Sequence, residues 1–453
     1  MRVLLISVNR ETEPYPVSPL GVAYISSAIK EKGHRVKVID LCFASEPEQT
    51  IKKEIQDFNP DLIGISIRNI DNLTFNRSVF YLPGIKEVVD TIKAATDVPM
   101  VAGGSGFSLF PESILRLLGI EYGIIGEGEV SFQHLLDALA GNCNIEDIAG
   151  ICFIRDGELL SNPQNHSGFA FHADRTVLDN YLYYDRGGMA NIQSKRGCPF
   201  NCSYCTYPLI DGRSLRLRPP EEVVEEMERI KKDYDIGHIF FVDDIFNVPR
   251  DHAVGICEEL IRKGIDIKWY CFATPYGMDY ELASLMKRAK CQGVEFGSDS
   301  GSDEILKSLR KNFTSEEIMK ASTACKKAGL PDAHYLLLGA PDEDINSLTE
   351  TVKLFDSINP RAVIVMTGIR VYPDTYLRKR AEEEGIHGDD QDILEPLFYI
   401  SPKIGAGRLL ERVEDMARGR KKWIVPSLQI RCESSMLEIL RKQGLRGPLW
   451  DML

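Results

Sequence analysis

The sequence predicts an α/β protein with two parallel sheets in series, followed by a smaller, mainly helical region. Three observations support this fold class. Strand-like and helix-like segments alternate over residues 1–140 and again over 191–375, and the strand-like segments are continuous apolar runs. Such strands, separated by helices, are typical of parallel sheets with both faces covered. With 453 residues, the chain is also long enough for two or three domains.

Residues 1–140 are predicted to form a Rossmann-like parallel sheet of five strands. The expected strands are 3–8, 36–41, 62–67, 99–104 and 122–126, and the expected helices are 20–31, 47–57, 84–95, 112–118 and 129–140. Ligands bind such sheets at the carboxyl ends of the strands. The turns expected at that edge are 9–18, 68–73, 103–110 and 126–129.

Residues 191–375 are predicted to form a partial (β/α)6 barrel of the TIM type, with its chemistry at the carboxyl ends of the strands. The expected strands are 191–195, 238–243, 267–273, 292–297, 334–339 and 362–368, and the expected helices are 220–232, 251–263, 279–290, 302–310, 315–328 and 345–357. Residues 141–190 are expected to be a linker with a hairpin that turns at Asp156-Gly157. We expect residues 376–453 to form a small, mainly helical C-terminal region that caps the barrel or closes a substrate cavity.

The composition is that of an ordinary globular protein, with 43% hydrophobic and 27% charged residues. The net charge of −13 disfavours a protein that grips nucleic acid through phosphates. The basic run Arg213, Arg216 and Arg218 is expected to be solvated surface. No segment approaches the ~20 apolar residues that span a membrane, and the N-terminus is typical of a first strand rather than of a signal peptide. We therefore expect a cytoplasmic protein without a membrane span.

The chain has eleven cysteines, which should be reduced in a cytoplasmic protein. Eight are dispersed and are expected to be buried as small apolar residues. These eight are Cys42, Cys143, Cys152, Cys257, Cys271, Cys291, Cys325 and Cys432. Those after residue 205 show no paired spacing, so we expect no second cluster.

The remaining cysteines, Cys198, Cys202 and Cys205, follow the first predicted barrel strand in a C-x3-C-x2-C pattern. Three thiolates on one short loop can hold an iron–sulfur cube and leave one iron open for an exogenous ligand. Structural zinc and three unconnected thiols are the alternatives. Zinc needs four ligands, usually in two pairs, and no second pair accompanies this loop. The spacing therefore favours a cluster with an open iron.

The segment SKRGCPFNCSYCTYP resembles the signature of the radical S-adenosylmethionine (SAM) superfamily. The resemblance implies that Cys198, Cys202 and Cys205 hold a [4Fe-4S] cluster and that SAM chelates its open iron. One electron then cleaves SAM to methionine and a 5′-deoxyadenosyl radical. Tyr204, the aromatic residue before the last cysteine, is expected near the adenine of SAM. The need for electrons implies a ferredoxin- or flavodoxin-like donor as a partner.

Later barrel segments are similar to the segments that approach SAM in this superfamily. FFVDDIFN follows the second strand, where helix capping by the aspartates is the alternative role. EFGSDSGSDEIL includes the fourth strand, with Asp299 where glutamate is common, and LLLGAPDED includes the fifth. The resemblance covers the whole of 190–380. It implies SAM contacts for Asp243, Asp244, Ser298, Asp299 and Ser300.

Glycine-rich turns follow the fourth and fifth strands of the N-terminal sheet. No G-x-G-x-x-G follows its first strand, which disfavours a dinucleotide site. The glycines allow backbone to approach a large flat ligand, although tight turns also explain them. VAGGSGFSLFPE and GIIGEGEVSF, with SPLGVAYISSAIKEKGH upstream, resemble the cobalamin-binding domains fused to radical SAM barrels. The implied cobalamin contacts are Gly103, Gly104, Ser105, Gly126, Glu127 and Gly128.

The resemblance has one departure, which concerns the cobalt ligand. Corrinoid domains with the motif D-x-H-x-x-G ligate cobalt through histidine, whereas this chain has no histidine before His34. Cobalt is therefore expected to lack a histidine ligand from this domain. The loop after the third strand should lie under the corrin, with Arg68 and Asn69 as candidates near the lower cobalt face. Our hypothesis is that Arg68 lies near a weakly ligated cobalt. Such a cobalt would be easier to reduce.

The resemblance implies a cobalamin-dependent radical SAM methyltransferase. It would transfer a methyl group from SAM, through methylcobalamin, to an unactivated carbon of a small molecule or of a peptide or protein side chain. The protein would align the substrate between the two cofactors. Two alternatives stay open. One is a cobalamin-dependent cyclase or rearrangement enzyme without methyl transfer, and the other is a non-catalytic cobalamin or redox sensor.

Overall fold

A computed structural model describes residues 1–164, 166, 168–386, 393–432 and 434–452. The predicted linker contains residues 165 and 167, and the predicted C-terminal region contains 387–392, 433 and 453, which lie outside the described residues. Across the described ranges, no helix combines the length and the apolar character that crossing a membrane requires.

The N-terminal part is a seven-stranded sheet with helices on both faces. Strands β1 to β7 are Arg2–Ser7, Arg35–Asp40, Leu62–Ser66, Met100–Gly103, Tyr122–Ile124, Ile151–Arg155 and Glu158–Ser161. Helices α1 to α6 are Leu20–Glu31, Pro47–Phe58, Leu82–Ala95, Ser105–Leu109, Pro111–Leu118 and Glu129–Leu139. The first five strands are parallel, in the order β2-β1-β3-β4-β5. The α/β architecture predicted from the sequence is confirmed.

The hairpin predicted inside the linker belongs to this sheet. β6 pairs antiparallel with β5, and β7 pairs antiparallel with β6, so the sheet is mixed rather than purely parallel. The turn between them has positive φ at Asp156 and Gly157, as a two-residue hairpin turn requires. Strands β1 and β3 are neighbours. From β1 the chain continues to β2 on one side, and from β3 it continues to β4 and β5 on the other side, so the strand order reverses between β1 and β3. Parallel sheets bind ligands in the crevice at such a switch point.

The second sheet is a partial barrel of seven parallel strands, with neighbours in the order β8-β11-β12-β13-β14-β15-β18. Strands β8 to β18 are Ala190–Ile192, Lys195–Arg196, Arg216–Leu217, His238–Phe241, Lys268–Ala273, Cys291–Asp299, Asp332–Leu338, Ala362–Thr367, Ile369–Arg370, Phe398–Tyr399 and Trp423–Ile424. Helices α7 to α18 are Asn180–Gly187, Tyr207–Ile210, Pro220–Tyr234, Arg250–Lys263, Tyr280–Arg288, Asp303–Ser308, Ser315–Ala328, Ile345–Ile358, Tyr376–Glu383, Ala406–Ala417, Ser434–Lys442 and Leu449–Met452.

Two details of the barrel differ from the expected elements. The first predicted strand, 191–195, ends early as β8, and the chain then forms β9, which pairs antiparallel with β10. The C-terminal region is not helical throughout, because β18 adds a short seventh strand beside β15. The cysteine loop therefore leaves from a side ribbon at the mouth of the barrel rather than directly from the sheet.

The inside of the barrel is closed at its lower end by a residue near the end of the chain. Trp450 packs with Phe240 and Tyr270 in an inner apolar cluster. A side chain at Gly293 would collide with its indole ring, because a Cβ there would lie 2.5 Å from Trp450. Strand alternation places Phe272 on the same inner face as Tyr270, yet Phe272 is 37% exposed. The lumen is thus filled below and open above.

A buried ion pair joins the two sheets. Arg370 of β16 donates from Nε to Asp71 Oδ2 at 2.9 Å, and both side chains are almost completely buried. The Arg370 guanidinium also donates to the backbone carbonyls of Val371, Ile393 and Leu394. Asp71 follows β3 and Arg370 follows β15, so this pair connects the ligand-binding edges of the two sheets.

Two surface and burial expectations are wrong. Arg218 is buried instead of solvated, because the buried carboxylate of Glu226 pairs with both Arg218 and Arg175. Although burial alone would raise it, the two guanidinium groups hold the pKa of Glu226 below its ordinary value. Of the eight dispersed cysteines, six are buried as expected, whereas Cys143 is exposed in the loop after α6 and Cys432 is half-buried.

Candidate functional site at the mouth of the barrel

The three clustered cysteines lie on the loop between β9 and α8. Cys198 is buried, and Cys202 and Cys205 are partly exposed. The loop turns sharply at Gly197, whose φ is +89°, and a Cβ there would lie 2.3 Å from the carbonyl oxygen of Ser214. Glycine is therefore required at this turn. Although burial contributes most, the thiols are close enough for Cys202 to raise the pKa of both Cys198 and Cys205. No group of three side chains placed to hold a metal ion is found in the described residues, so the cluster ligands stay a prediction.

The surroundings of these thiols keep them in the neutral form while no metal is bound. Burial raises the pKa of Cys198 to about 11 and that of Cys205 to about 12, and the neighbouring thiols contribute to both shifts. Without a metal the thiols are therefore protonated at neutral pH. Iron ions draw such groups into the thiolate form. The donor set is one of three sulfurs, which fits a [4Fe-4S] cluster with one open iron.

A buried cation beside the cysteine loop holds Tyr204 in place. The Tyr204 hydroxyl donates to Asp299 Oδ2 at 2.6 Å, and Lys311 Nζ lies 2.8 Å from the same oxygen. Although burial opposes it, Asp299 and the nearby Cys202 thiol raise the pKa of Lys311, so this side chain is charged. Sequence analysis missed Lys311, because one lysine in the turn after a helix carries no pattern. The network places Tyr204 and Asp299 together at the cluster loop.

The two aspartates after β11 have different surroundings. Asp243 accepts hydrogen bonds from the backbone N–H groups of Ser194 and Lys195, so it is committed to the end of the first barrel strand. Asp244 Oδ2 is buried and has no hydrogen-bond partner among the described residues. Burial and the nearby carboxyl of Asp211 raise the pKa of Asp244. Of the pair, Asp244 retains a free oxygen for a ligand.

The serines predicted to contact SAM face the outside of the barrel sheet. Ser298 hydrogen-bonds His334 Nδ1 at 2.8 Å, and Ser300 hydrogen-bonds Thr351 at 3.1 Å. All four side chains are completely buried. Asp299 is thus the member of this segment that reaches the cluster loop, and the SAM contacts of Ser298 and Ser300 stay predictions.

A cavity of about 380 Å³ lies at the carboxyl edge of the N-terminal sheet, facing the barrel. Its lining includes seven of the eight predicted cobalamin contacts, and Asn69 is not among the lining residues. The seven are Arg68, Gly103, Gly104, Ser105, Gly126, Glu127 and Gly128. Residues of the barrel side, including Tyr207 and Asp211, line the opposite wall. The cavity therefore adjoins the cysteine loop, since Tyr207 follows Cys205 by two residues.

The cavity has a glycine cradle where the backbone is exposed. Gly104 has φ +103°, and a Cβ there would lie 2.6 Å from the carbonyl oxygen of Ile67. In the floor of the cavity, a Cβ at Gly64 would lie 2.7 Å from Leu5. These positions keep the sheet edge free of side chains, which fits a bulky ligand that lies against the backbone.

Arg68 lines this cavity with a half-buried side chain. Arg68 donates a long hydrogen bond from Nη1 to the Val17 carbonyl, at 3.4 Å. Within the described residues it forms no ion pair. Burial lowers the pKa of Arg68. A partly buried cation without a counter-ion is stabilised when a ligand supplies partners, which supports a ligand near this side chain.

Glu127 is occupied by two cations of the barrel. Its carboxylate pairs with Arg196 at 3.4 Å and also with Arg216, and its side chain is buried. The neighbouring Glu129 accepts from Arg196 at 2.6 Å. The Glu127 side chain therefore ties the N-terminal sheet to the β9–β10 ribbon while it lines the cavity.

The open lumen of the barrel contains a polar group that sequence analysis missed. Glu295 accepts a hydrogen bond from Trp450 Nε1 at 2.6 Å and is completely buried beside Tyr335. Burial raises the pKa of Glu295 to about 7. Tyr15, from the loop after β1, lies close enough for the charge of Glu295 to raise its pKa, although burial contributes most. The lumen thus has apolar walls and one small buried polar group, formed by Glu295 and Tyr335.

Comparisons with known proteins support the same two-part architecture. Residues 6–136 match the B12 binding domain, and residues 192–355 match the radical SAM superfamily. An uncharacterized methyltransferase of Pyrococcus horikoshii is 30% identical over 343 residues, covering 74% of this chain and 72% of the relative. An anaerobic magnesium-protoporphyrin IX monomethyl ester cyclase of Rubrivivax gelatinosus is 25% identical over 384 residues, covering 80% and 66%. The radical SAM methyltransferase TsrM of Kitasatospora setae, solved with cobalamin and a [4Fe-4S] cluster, superposes with a TM-score of 0.88 at 23% identity, covering 99% and 96%.

Proposed function

Because this chain belongs to the family in which a B12-binding domain is fused to a radical SAM domain, we propose that it is a cobalamin-dependent radical SAM methyltransferase. Its cofactors are a [4Fe-4S] cluster, SAM and cobalamin, as the sequence predicted. The Pyrococcus relative carries the name of a methyltransferase, which favours this reaction over other radical outcomes. The acceptor is an unactivated carbon of a small molecule or of a peptide or protein side chain.

One observation supports the proposal: the cavity with the predicted cobalamin contacts borders the segment that follows the cysteine loop. The cavity of the N-terminal sheet is lined on its far side by Tyr207 and Asp211, which directly follow the cysteine loop. Val242, at the mouth of the barrel lumen, also lines this cavity. A substrate in the upper lumen is then near both cofactors, as methyl transfer to a carbon radical requires. When bound, the cluster and SAM supply the radical, and cobalamin supplies the methyl group.

The residues of the chain hold and orient the cofactors. Cys198, Cys202 and Cys205 hold the cluster, and Tyr204 is fixed beside it through Asp299. Asp244 offers its free buried oxygen to a hydrogen-bond donor of SAM, such as the amino group. The glycine cradle would accept cobalamin, and Arg68, which forms no ion pair among the described residues, lines the same cavity. Closure of the lumen by Trp450 excludes water from below, which protects a radical from side reactions.

The substrate is held in the lumen against its apolar walls. Phe272 is a wall residue and is 37% exposed, so it is available for contact. Glu295 lies opposite Phe272 on the neighbouring strand, but its carboxyl is buried and hydrogen-bonded to Trp450 and Tyr335. The exposed wall of the lumen is therefore mainly apolar, which suits an apolar part of a substrate.

The first experiment is anaerobic reconstitution with iron, sulfide and hydroxocobalamin, followed by metal analysis. We expect about four irons and about one cobalt per chain. The double variant Cys202→Ala/Cys205→Ala should lose the iron and retain the cobalt. Cys143→Ala is the matched control, because this exposed cysteine lies outside the loop, and it should retain both. Iron without cobalt in the unmodified protein would contradict the methyltransferase mechanism.

The second experiment follows the methyl group. The holoprotein is incubated with a reductant, a small-molecule extract and SAM that carries a deuterated methyl group. A product that carries the deuterated methyl supports the proposal. 5′-Deoxyadenosine with a rearranged but unlabelled product would instead favour the alternative of a cyclase, the activity in the name of the Rubrivivax relative. Neither product, with both cofactors bound, would favour a non-catalytic cobalamin or redox sensor.

A further inference from the structure

The outer edge of the cysteine loop faces solvent. Cys202 and Cys205 are partly exposed, and Asn201 beside them is half-buried. Tyr376, the first residue of α15, is 43% exposed and hydrogen-bonds Asn201. The backbone of Ser203 is bonded to both neighbours, because its N–H donates to Leu309 and its carbonyl accepts from Leu377. The loop is therefore held by backbone hydrogen bonds between the end of α12 and the start of α15, while Cys202 and Cys205 keep part of their surface exposed.

Three exposed cations lie around this outer edge of the cysteine loop. Arg213 donates from Nη2 to Asn201 Oδ1 at 2.9 Å and from Nη1 to the Phe200 carbonyl at 3.3 Å. The guanidinium of Arg310 lies 3.4 Å from the ring centroid of Tyr376. Lys379 Nζ lies 5.9 Å from the same ring. We call Arg213, Arg310 and Lys379 the basic rim of the cluster loop.

The basic rim is not neutralised by carboxylates. In the part of the chain that the structure describes, none of its three members forms an ion pair. The nearby acid Glu382 is occupied by Arg378, its partner one turn earlier on α15. These three positive charges contrast with the net charge of the whole chain, which is −13. The rim therefore presents three cations without ion-pair partners in the described residues beside the cysteine loop, on a chain whose net charge is negative.

We propose that the basic rim is the docking surface for an acidic electron-transfer protein that reduces the cluster. This inference rests on the proposed function only in that it requires the cluster. One electron leaves the reduced donor, which is oxidised, and one electron enters the cluster, which is reduced, and no bond is formed or broken. Complementary charge on a small surface steers such transient partners and speeds their encounter. Electron-transfer complexes of this kind have small interfaces.

The test measures cluster reduction in the reconstituted full chain, mixed anaerobically with a reduced flavodoxin. The triple variant Arg213→Glu/Arg310→Glu/Lys379→Glu should lower the second-order rate constant at least ~10-fold at low salt. The difference should shrink as salt rises, because screening acts within ~10 Å at 0.1 M. Reduced methyl viologen, a small cation, should reduce the variant at least as fast as the unmodified protein.

The matched control reverses the same number of charges elsewhere. Lys53, Arg229 and Lys232 are exposed, lie on α2 and α9, and form no ion pair in the described ranges. The variant Lys53→Glu/Arg229→Glu/Lys232→Glu should leave the flavodoxin rate unchanged. Equal slowing by this control, or an unchanged rate in the rim variant, would overturn the proposal. Failure of the methyl-transfer assay would not, because reduction of the cluster is read directly by electron paramagnetic resonance.

Discussion

Replacing Arg370 by methionine should destabilise the whole molecule, because it leaves the Asp71 carboxylate buried without its cation. The pair is separated by 2.9 Å, and the side chains of Arg370 and Asp71 are 3% and 0% exposed. Methionine retains much of the packing against the Tyr372 ring, over which the guanidinium lies at 5.0 Å. The change therefore removes mainly the charge and the hydrogen bonds to backbone carbonyls.

The expected magnitude follows from the distance and the burial. Two unit charges 2.9 Å apart attract each other by about 6 kcal/mol at an effective dielectric constant of about 20. Much of this attraction is offset by the cost of removing both charges from water. Removal of one partner from a buried pair typically costs about 3–5 kcal/mol, since the other charge stays buried. We expect Arg370→Met to lower the free energy of unfolding by about 4 kcal/mol and Tm by roughly 4 °C.

The assay is thermal and urea unfolding of the reconstituted protein, with three comparisons. Arg420→Met is the matched control, because Arg420 pairs with Asp356 at 2.7 Å but the two side chains are 31% and 48% exposed. It should cost less than ~1 kcal/mol. The double variant Asp71→Asn/Arg370→Met should be more stable than Arg370→Met alone by at least ~1 kcal/mol, because no buried charge is left unpaired. A loss in Arg370→Met no larger than that in Arg420→Met would refute the reasoning.

Two further predictions concern the cavity and the pH dependence of stability. Gly104→Ala should lower the cobalt content and Tm, because its Cβ would lie 2.6 Å from the Ile67 carbonyl. Gly84→Ala in α3 meets no atom and lies outside the cavity lining, so it should leave the cobalt content unchanged and leave Tm unchanged or slightly raise it. In urea unfolding, Glu343→Gln should become progressively more stable relative to the unmodified protein as the pH rises from about 5 to about 8. Burial raises the pKa of Glu343 from 4.5 to about 8, so over this range the unfolded chain releases a proton that the folded one keeps. An equal pH dependence in both proteins would count against this assignment.

Much of the fold follows from local sequence patterns. Buried parallel strands are apolar along their whole length, so runs such as those of β1, β3 and β15 stand out in the sequence. The spacing of Cys198, Cys202 and Cys205 also indicated a cluster loop, because chelation by one loop is a local property. The edge hairpin was visible as well, but its docking on β5 was not, since an antiparallel edge has no sequence signal of its own.

The contacts that complete the site depend on distant parts of the chain. Asp71 meets Arg370 across 299 positions, and Lys311 reaches Tyr204 across 107, which no local pattern reveals. The orientation of Ser298 could have been predicted. It shares its strand face with Phe296, which packs in the outer core, and alternation then puts Asp299 on the face of the lumen.

The bond between Trp450 and Glu295 has a consequence for how the chain folds. The two residues are 155 positions apart, so the strands of the barrel are made long before the side chain that closes their lower end. Until then water can reach the Glu295 carboxyl, which will ionise as an ordinary glutamate does. Burial raises the pKa of Glu295 from 4.5 to about 7, although the hydrogen bonds from Trp450 and Tyr335 lower it. Closing the barrel around Glu295 therefore takes up a proton between these pH values, and the closed barrel should lose stability as the pH rises from about 4.5 to about 7.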